Sequence, residues 1–260
     1  VCIAYAHFVE PYWPEVTEVT IPCPDLTADR PVRIVHISDL HCDPKVRLED
    51  DLPGLIAGLE PDLICFTGDA VNNLNALPVF RRLMRNLVAI APVYACRGNW
   101  DIYNTSTDKL YDRTDVRLLE SESKPVHVAG GRIYLAGAPC YQVRAIAAAL
   151  EPVPEEACSV LLYHVPDGFP EAAARGADLC LAGHTHGGQV ALPVYGALMT
   201  LSKYGKKYEA GHYRVGAMHA YVNRGIGMEG GHAPRVRFCA RPEVTLIELV
   251  PTQSEPRDDE

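Results

Sequence analysis

The stretch VRIVHISDLHCD (residues 32–43) changes character halfway: a run rich in Val and Ile gives way to a polar segment carrying Asp39 and His41. A near-continuous apolar run of this length suits a strand buried on both faces, with the polar residues at its C-terminal end. The same unit recurs along the chain. DLICFTG (62–68) runs into DAVNN, PVYACRG (92–98) into NWD, CSVLLYH (158–164) into VPDG, and LCLAG (179–183) into HTHGG. Helical patterns separate several of these runs: LEDDLPGLIAGLE (48–60), LNALPVFRRLMRNLVAI (74–90) and DGFPEAAARG (167–176). Strands alternating with helices predict an α/β fold with mostly parallel central strands. From Val190 onward, HAYVNRG and PEVTLIELV read as strands joined by glycine-rich turns, so an antiparallel portion should complete the sheets.

The 260-residue chain, 48% hydrophobic and 22% charged, has the composition of a globular protein with a large core. Its net charge of -9 argues against general or specific nucleic-acid binding, and a polyanionic partner would have to meet a local patch or bound cations. Nine cysteines are scattered without a CxxC pair, and Cys65, Cys96, Cys158 and Cys180 lie inside apolar runs. That pattern predicts buried thiols rather than a disulfide framework or a cysteine zinc site, and with it a reducing compartment. VCIAYAHF at the start is too short to span a bilayer, which needs roughly 20 residues. It reads either as a first strand or as the stub of a membrane anchor or signal. The expected organisation is an N-terminal strand or linker over 1–31, one domain over 32–251, and a disordered polar tail over 252–260.

Each strand-like run delivers a potential metal ligand at or just past its C-terminal end: Asp39 and His41, Asp69, Asn99, His164, then His184 and His186. In open α/β sheets ligands collect at that edge. Each residue has an ordinary alternative. Asp39 and Asp69 could cap helices, Asn99 could serve a turn, and His164 could be a satisfied core histidine. Together they form a set of oxygen and nitrogen donors suited to Mn, Zn, Fe or Ni. Seven donors exceed the four of one tetrahedral ion and can serve two ions if a carboxylate bridges. Gly183, Gly187 and Gly188 around the two imidazoles leave room for close approach.

In order, SDLH, GD, GNWD, YH and GHTHGGQ resemble the motifs of the calcineurin-like metallophosphoesterase family, whose pattern is D-x-H, GD, GNH with an acidic residue, H, and GHxH. GHTHGGQ with the late YVNRGIG is similar to the family's membrane-associated bacterial branch, which includes phosphodiesterases and UDP-diacylglucosamine pyrophosphohydrolases. The resemblance implies a four-layer α/β/β/α sandwich of two mixed sheets flanked by helices. It also implies one divalent ion on Asp39, His41 and His186 and a second on Asn99, His164 and His184, with Asp69 bridging. A hydroxide shared by the metals would be the nucleophile.

The third motif departs from that pattern: Trp100 stands where the family has the histidine credited with protonating the leaving group or steadying the transition state. Indole offers one N–H and no acid function near neutral pH. Either the substrate carries a good leaving group, or Asp101 or His232 stands in, or the protein keeps metals with little activity; Trp100 itself could wall the site. Arg97 and Arg224 are candidate phosphate clamps, with surface salt bridges as the alternative. Gly225 and Gly227 would let the loop carrying Arg224 approach the metals. Lys203, Lys206 and Lys207 among tyrosines could face an anionic headgroup or a membrane surface, or simply solvent, while His36, His127 and His219 read as structural.

The expected function is hydrolysis of a phosphodiester or pyrophosphate bond, with a small-molecule phosphoester or a lipid-linked nucleotide as substrate. No obligate protein partner is evident, and the expected location is the cytoplasm or the cytoplasmic face of a membrane. The rivals are a phosphomonoesterase and a metal-binding interaction module whose catalysis has lapsed.

Overall fold

The computed structural model describes residues 1–104, 107–230 and 234–251. Helix α1 (Cys2–Phe8) leads into strand β1 (Glu15–Cys23). Then follow β2 (Val32–Ile37), α2 (Leu52–Ala57), β3 (Leu63–Phe66), α3 (Leu77–Val88), β4 (Val93–Ala95), α4 (Asn99–Asn104), α5 (Thr107–Leu110) and β5 (Arg117–Leu118). The second half holds β6 (Glu122–Val128), β7 (Gly131–Gly137), α6 (Val143–Leu150), β8 (Ser159–Leu162), α7 (Phe169–Ala174) and β9 (Leu179–Ala182). The small pair β10 (Ala191–Leu192) and β11 (Gly196–Ala197), then β12 (Gly211–Val215), β13 (Met218–Val222) and β14 (Glu243–Pro251), complete the chain.

Two mixed sheets of six strands result, ordered β1-β14-β2-β3-β4-β5 and β12-β13-β9-β8-β7-β6. Strands β2 to β5 run parallel, as do β7, β8, β9 and β13. Strand β14 pairs antiparallel with β2 and parallel with β1, while β12 and β6 close the second sheet antiparallel. The central strands alternate between two cores, as their period of two requires. In β2 and β3, Ile34, Leu63 and Cys65 face the core between the sheets, whereas Val35, Ile37, Ile64 and Phe66 face α2 and α3. In β8 and β9, Val160, Leu162, Leu179 and Leu181 share the inter-sheet core, and Leu161, Cys180 and Ala182 face α6 and α7. The layers are therefore helix, sheet, sheet, helix.

The helices are shorter than the sequence patterns suggested. Pro53 opens α2 and Gly58 stops it; Pro78 opens α3 and Pro170 opens α7, as expected for a residue that starts helices but cannot continue them. α3 buries Val79, Phe80, Leu83, Met84 and Leu87, a single apolar stripe.

Two expectations change. Residues 2–8 are a helix rather than a first strand, and no helix among the described residues is long and apolar enough to cross a membrane. Within the expected N-terminal strand or linker over 1–31, β1 is the edge strand of the first sheet over its full length beside β14. Cys158 is no free thiol: it is disulfide-bonded to Cys23, tying the end of β1 to the start of β8 across the two sheets. Spacing rules see only cysteines close in sequence, and this pair is 135 residues apart. The tail over 252–260 lies outside the described residues.

Candidate metal centre

Because β2, β3 and β4 are parallel neighbours, as are β7, β8, β9 and β13, their C-terminal loops meet at one edge. The loops after β2 and β3 continue pairing beyond their strands: the N–H groups of Asp39, His41 and Cys42 donate to the carbonyls of Gly68, Asp69 and Ala70 at 2.9–3.0 Å. The loop after β13 closes over them, with Ile226 N donating to Ser38 O and Gly227 N to Asp39 O. Glycine makes such contact feasible. A Cβ on Gly183 would collide with Ser38 Oγ and Asp39 Oδ2, and one on Gly98 with Asp69 Oδ1. Asp39, His41, Asp69, His184 and His186 all have φ between 39° and 70°. Left-handed backbone at non-glycine residues is strained and concentrates at functional sites.

The donors fall into two groups, Asp39, His41 and His186, and Asp69, His164 and His184, the ligand atoms of each within 4.8 Å of one another. Asn99 joins the second, its Oδ1 lying 3.2 Å from His164 Nε2 and 2.9 Å from His184 Nδ1. Asp69 Oδ2 stands between the groups, 3.2 Å from His164 Nε2 and 3.6 Å from His41 Nε2. Asp39 Oδ1 is 3.3 Å from His186 Nε2, and both Asp39 oxygens accept from His184 N.

This donor set fits cations. His164 Nδ1 donates to Thr67 O at 2.6 Å, and His41 Nδ1 to the Asn72 amide oxygen at 3.1 Å. In the neutral His41 ring that leaves Nε2 a bare lone pair aimed at Asp69, a repulsive arrangement that a positive ion resolves. At His164 burial is outweighed by Asp69, hydrogen-bonded to it, and by Asp39, which lift it to about 9, so without a cation its Nε2 keeps the proton that faces Asp69 Oδ2. His41 Nε2 is buried with no hydrogen-bond partner. Burial pushes His41 and His184 down to about 4, and Asp69 and Asn72 only partly oppose this at His41, so both rings are neutral near pH 7. Burial lifts Asp39 to about 7, and the nearby Asp69 charge adds to that shift. Burial alone would raise Asp69, but His164, hydrogen-bonded to it, together with His41 and His184 holds it below the usual carboxylate range.

Residues 32–188 match the calcineurin-like phosphoesterase family. The chain belongs to that family. A metallophosphoesterase of Bacillus subtilis (strain 168), YkuE, is 34% identical over 95% of this chain and 90% of its own length. The phosphodiesterase YaeI of Escherichia coli (strain K12) is 30% identical over 95% of this chain and 92% of its own. Among solved structures, TT1561 of Thermus thermophilus is similar in fold, with a TM-score of 0.52 at 12% identity, covering 75% of this chain and 90% of that one. This calcineurin-like chain is a metal-dependent phosphoester hydrolase, and divalent metal ions are its cofactors.

The departure from the family motif is now visible in space. Trp100 N donates to Asp69 Oδ1 at 2.8 Å, and the indole stands edge-on to His41 with ring centres 5.4 Å apart. Asp101, expected as a stand-in acid, is turned away: its oxygens accept from the N–H groups of Asp69, Gly98 and Ala70 at 2.8–2.9 Å. Those bonds shape the loops that carry Asp69 and Asn99. Arg97 and Arg224, expected as clamps, are engaged within the protein. Arg97 pairs with Glu120. Arg224 pairs with Glu243 at 3.1 Å and Glu15 at 2.7 Å. His232 lies outside the described residues.

Sequence reasoning missed several supports. Asn72 holds the His41 ring, and its Nδ2 donates to His41 O. Asn223 binds His36 O and Thr245 Oγ1 and accepts from Gly225 N. Arg237, fully buried, donates to the carbonyls of Arg224, Gly225, Gly227 and Ala240. No periodicity or spacing marks them, since each acts through backbone groups of distant loops.

Proposed function

We propose that the chain is a two-ion phosphodiesterase or pyrophosphohydrolase whose substrate carries an apolar part. The observation that carries this reading is Asp69 Oδ2 standing within 3.2 Å of one donor group and 3.6 Å of the other. Asp39, His41 and His186 would hold one ion, Asn99, His164 and His184 the second, and Asp69 would serve both. When bound, such ions supply Lewis acidity toward phosphoryl oxygens and lower the pKa of water to about 7. The protein's own part is positional. Thr67 and Asn72 fix two imidazoles, the Trp100 N–H fixes the far oxygen of Asp69, and Asp101 fixes the loops that present Asp69 and Asn99.

Phosphodiester chemistry is supported by the name of the relative YaeI. The apolar part of the substrate is supported by the rim. A small cavity beside the centre is lined by His184, His186, Met199 and Leu201, and Leu192, Val194, Tyr195, Leu198, Met199 and Leu201 are all exposed. Lys203, Lys206 and Lys207 follow directly, a local cationic patch on an acidic protein. A lipid-linked nucleotide or another amphiphilic diester meets both features, and peripheral contact with an anionic membrane surface would present it.

The test couples metal analysis with turnover of bis-p-nitrophenyl phosphate, p-nitrophenyl phosphate and a lipid-linked pyrophosphate after loading with Mn²⁺ or Zn²⁺. About two ions per chain and preference for the diester or the lipid substrate are expected. A preference for the monoester overturns the assignment. Trp100 favours a second reading, a metal-bearing module without catalysis, and negligible turnover of every ester at full loading would establish it.

A further inference from the structure

The loop after β7 reaches the same sheet edge as those carrying His164 and His184, because β7, β8 and β9 run parallel. Pro139 O accepts from Gln142 N across a four-residue turn, and Tyr141, its third residue, has φ 60°. That position favours glycine, and a bulky side chain there is an outlier that the surroundings must enforce. Such outliers gather where a side chain has to be presented. The Tyr141 ring stands edge-on to His184, at 89° with centres 6.3 Å apart. The residue is 55% exposed, and among the described residues its hydroxyl has no hydrogen-bond partner.

Among the described residues, the motif positions expected to donate to the leaving-group oxygen are engaged elsewhere. Trp100 has replaced the motif histidine, Asp101 is spent on three backbone N–H groups, and Arg97 and Arg224 are paired with Glu120, Glu15 and Glu243. We propose that Tyr141 is a catalytic residue whose phenolic O–H donates a hydrogen bond to the leaving-group oxygen. As the bond from water oxygen to phosphorus forms, the bond to the leaving oxygen breaks and its electron pair stays on that oxygen. The tyrosine stabilises this charge with its proton retained, and the proton released by the attacking water ends on the departing alcohol. The inference rests on the phosphodiesterase reading above.

Tyr141→Phe keeps the ring against His184 and removes only the O–H. The experiment compares methyl phenyl phosphate with methyl p-nitrophenyl phosphate, alongside bound metal and Tm. The expected result is a roughly tenfold to hundredfold lower kcat for the phenyl ester. The p-nitrophenyl ester, whose leaving group needs little help, should change less than about threefold, with metal content, Tm and KM unchanged. Equal losses on both esters, no loss on either, or a parallel fall in metal content and Tm would each overturn the role of Tyr141 alone. Wild-type protein that cleaves neither ester while carrying two ions sinks the phosphodiesterase reading itself, and the role of Tyr141 with it.

Discussion

The residue that most constrains the chemistry is Trp100. Its backbone N–H donates to Asp69 Oδ1, a contact that does not depend on the side chain, so a substitution here exchanges the side-chain function alone. Replacing Trp100 with His restores an imidazole beside His41. The expected outcome is a gain of roughly 10²-fold on alkyl phosphodiesters, the lower range of general acid catalysis, against a few-fold on p-nitrophenyl esters. Steady-state kinetics on the two classes decide it, and an equal change on both shows that the position does not control the leaving group. Asp39 sets a second expectation. Burial, reinforced by Asp69, raises its carboxyl to about 7, so below that pH the metal-free site holds a proton that an entering cation must displace. His41 and His184, pushed down to about 4 by burial, carry no such proton, whereas His164, which Asp69 and Asp39 lift to about 9 against burial, carries a second. Mn²⁺ affinity should therefore weaken by about tenfold per pH unit from about 9 to 7, more steeply below 7, and level off above about 9. Titration calorimetry at several pH values reads this directly; affinity that stays flat between about pH 5.5 and 7 contradicts it.

At the scale of elements, the site consists of strand ends held together by loop contacts. This explains what was legible. The Val- and Ile-rich runs marked β2, β3, β8 and β9 because buried parallel strands have no polar face, and the residue following each run fell on the functional edge. Asp39, His41, Asp69, Asn99, His164, His184 and His186 could be gathered that way. The alternatives for Asp101, Arg97 and Arg224 stayed open because their partners are set by tertiary contact: a carboxylate beside a ligand looks the same whether it faces substrate or three N–H groups. Arg237 was invisible for the same reason. Its guanidinium binds four loop carbonyls in a fully buried setting. Arg237→Met leaves those carbonyls unpaired at about 1 kcal/mol or more each, which predicts a Tm lower by roughly 10 °C. Thermal unfolding monitored by circular dichroism measures it, and an unchanged Tm would mean that the loop does not depend on this residue. Gly183→Ala acts on the centre instead. Its Cβ would collide with Asp39 Oδ2, so bound metal should fall from about two ions per chain toward one. Metal analysis of folded protein checks this, and full occupancy would show that the loops can yield.

For the whole molecule, two six-stranded sheets share one apolar core and fuse their active edges through loops from both. The sandwich was foreseeable from alternating elements and from the family resemblance. A strand or linker was expected within 1–31, but its place at 15–23 was not legible, because a strand with a mixed burial pattern at a sheet's edge lacks the apolar signature of the centre. The Cys23–Cys158 bond was likewise beyond a reading based on spacing, and it carries the last prediction. It joins the sheets at β1 and β8 and closes a loop spanning 135 residues. Constraining a loop of that length in the unfolded chain is worth about 5 kcal/mol in the chain-entropy account, equivalent to roughly 10–20 °C of Tm for a domain near this size. Since the bond lies apart from both donor groups, Cys23→Ser with Cys158→Ser should lower Tm by about that amount while metal stoichiometry and turnover at 25 °C persist. Both cysteines belong to the inter-sheet core, so the isosteric serine pair adds a cost of burying hydroxyls. Wild-type protein under reductant separates the two effects. If reduction alone leaves Tm unmoved, the sheets are held by their shared core and not by the covalent bridge.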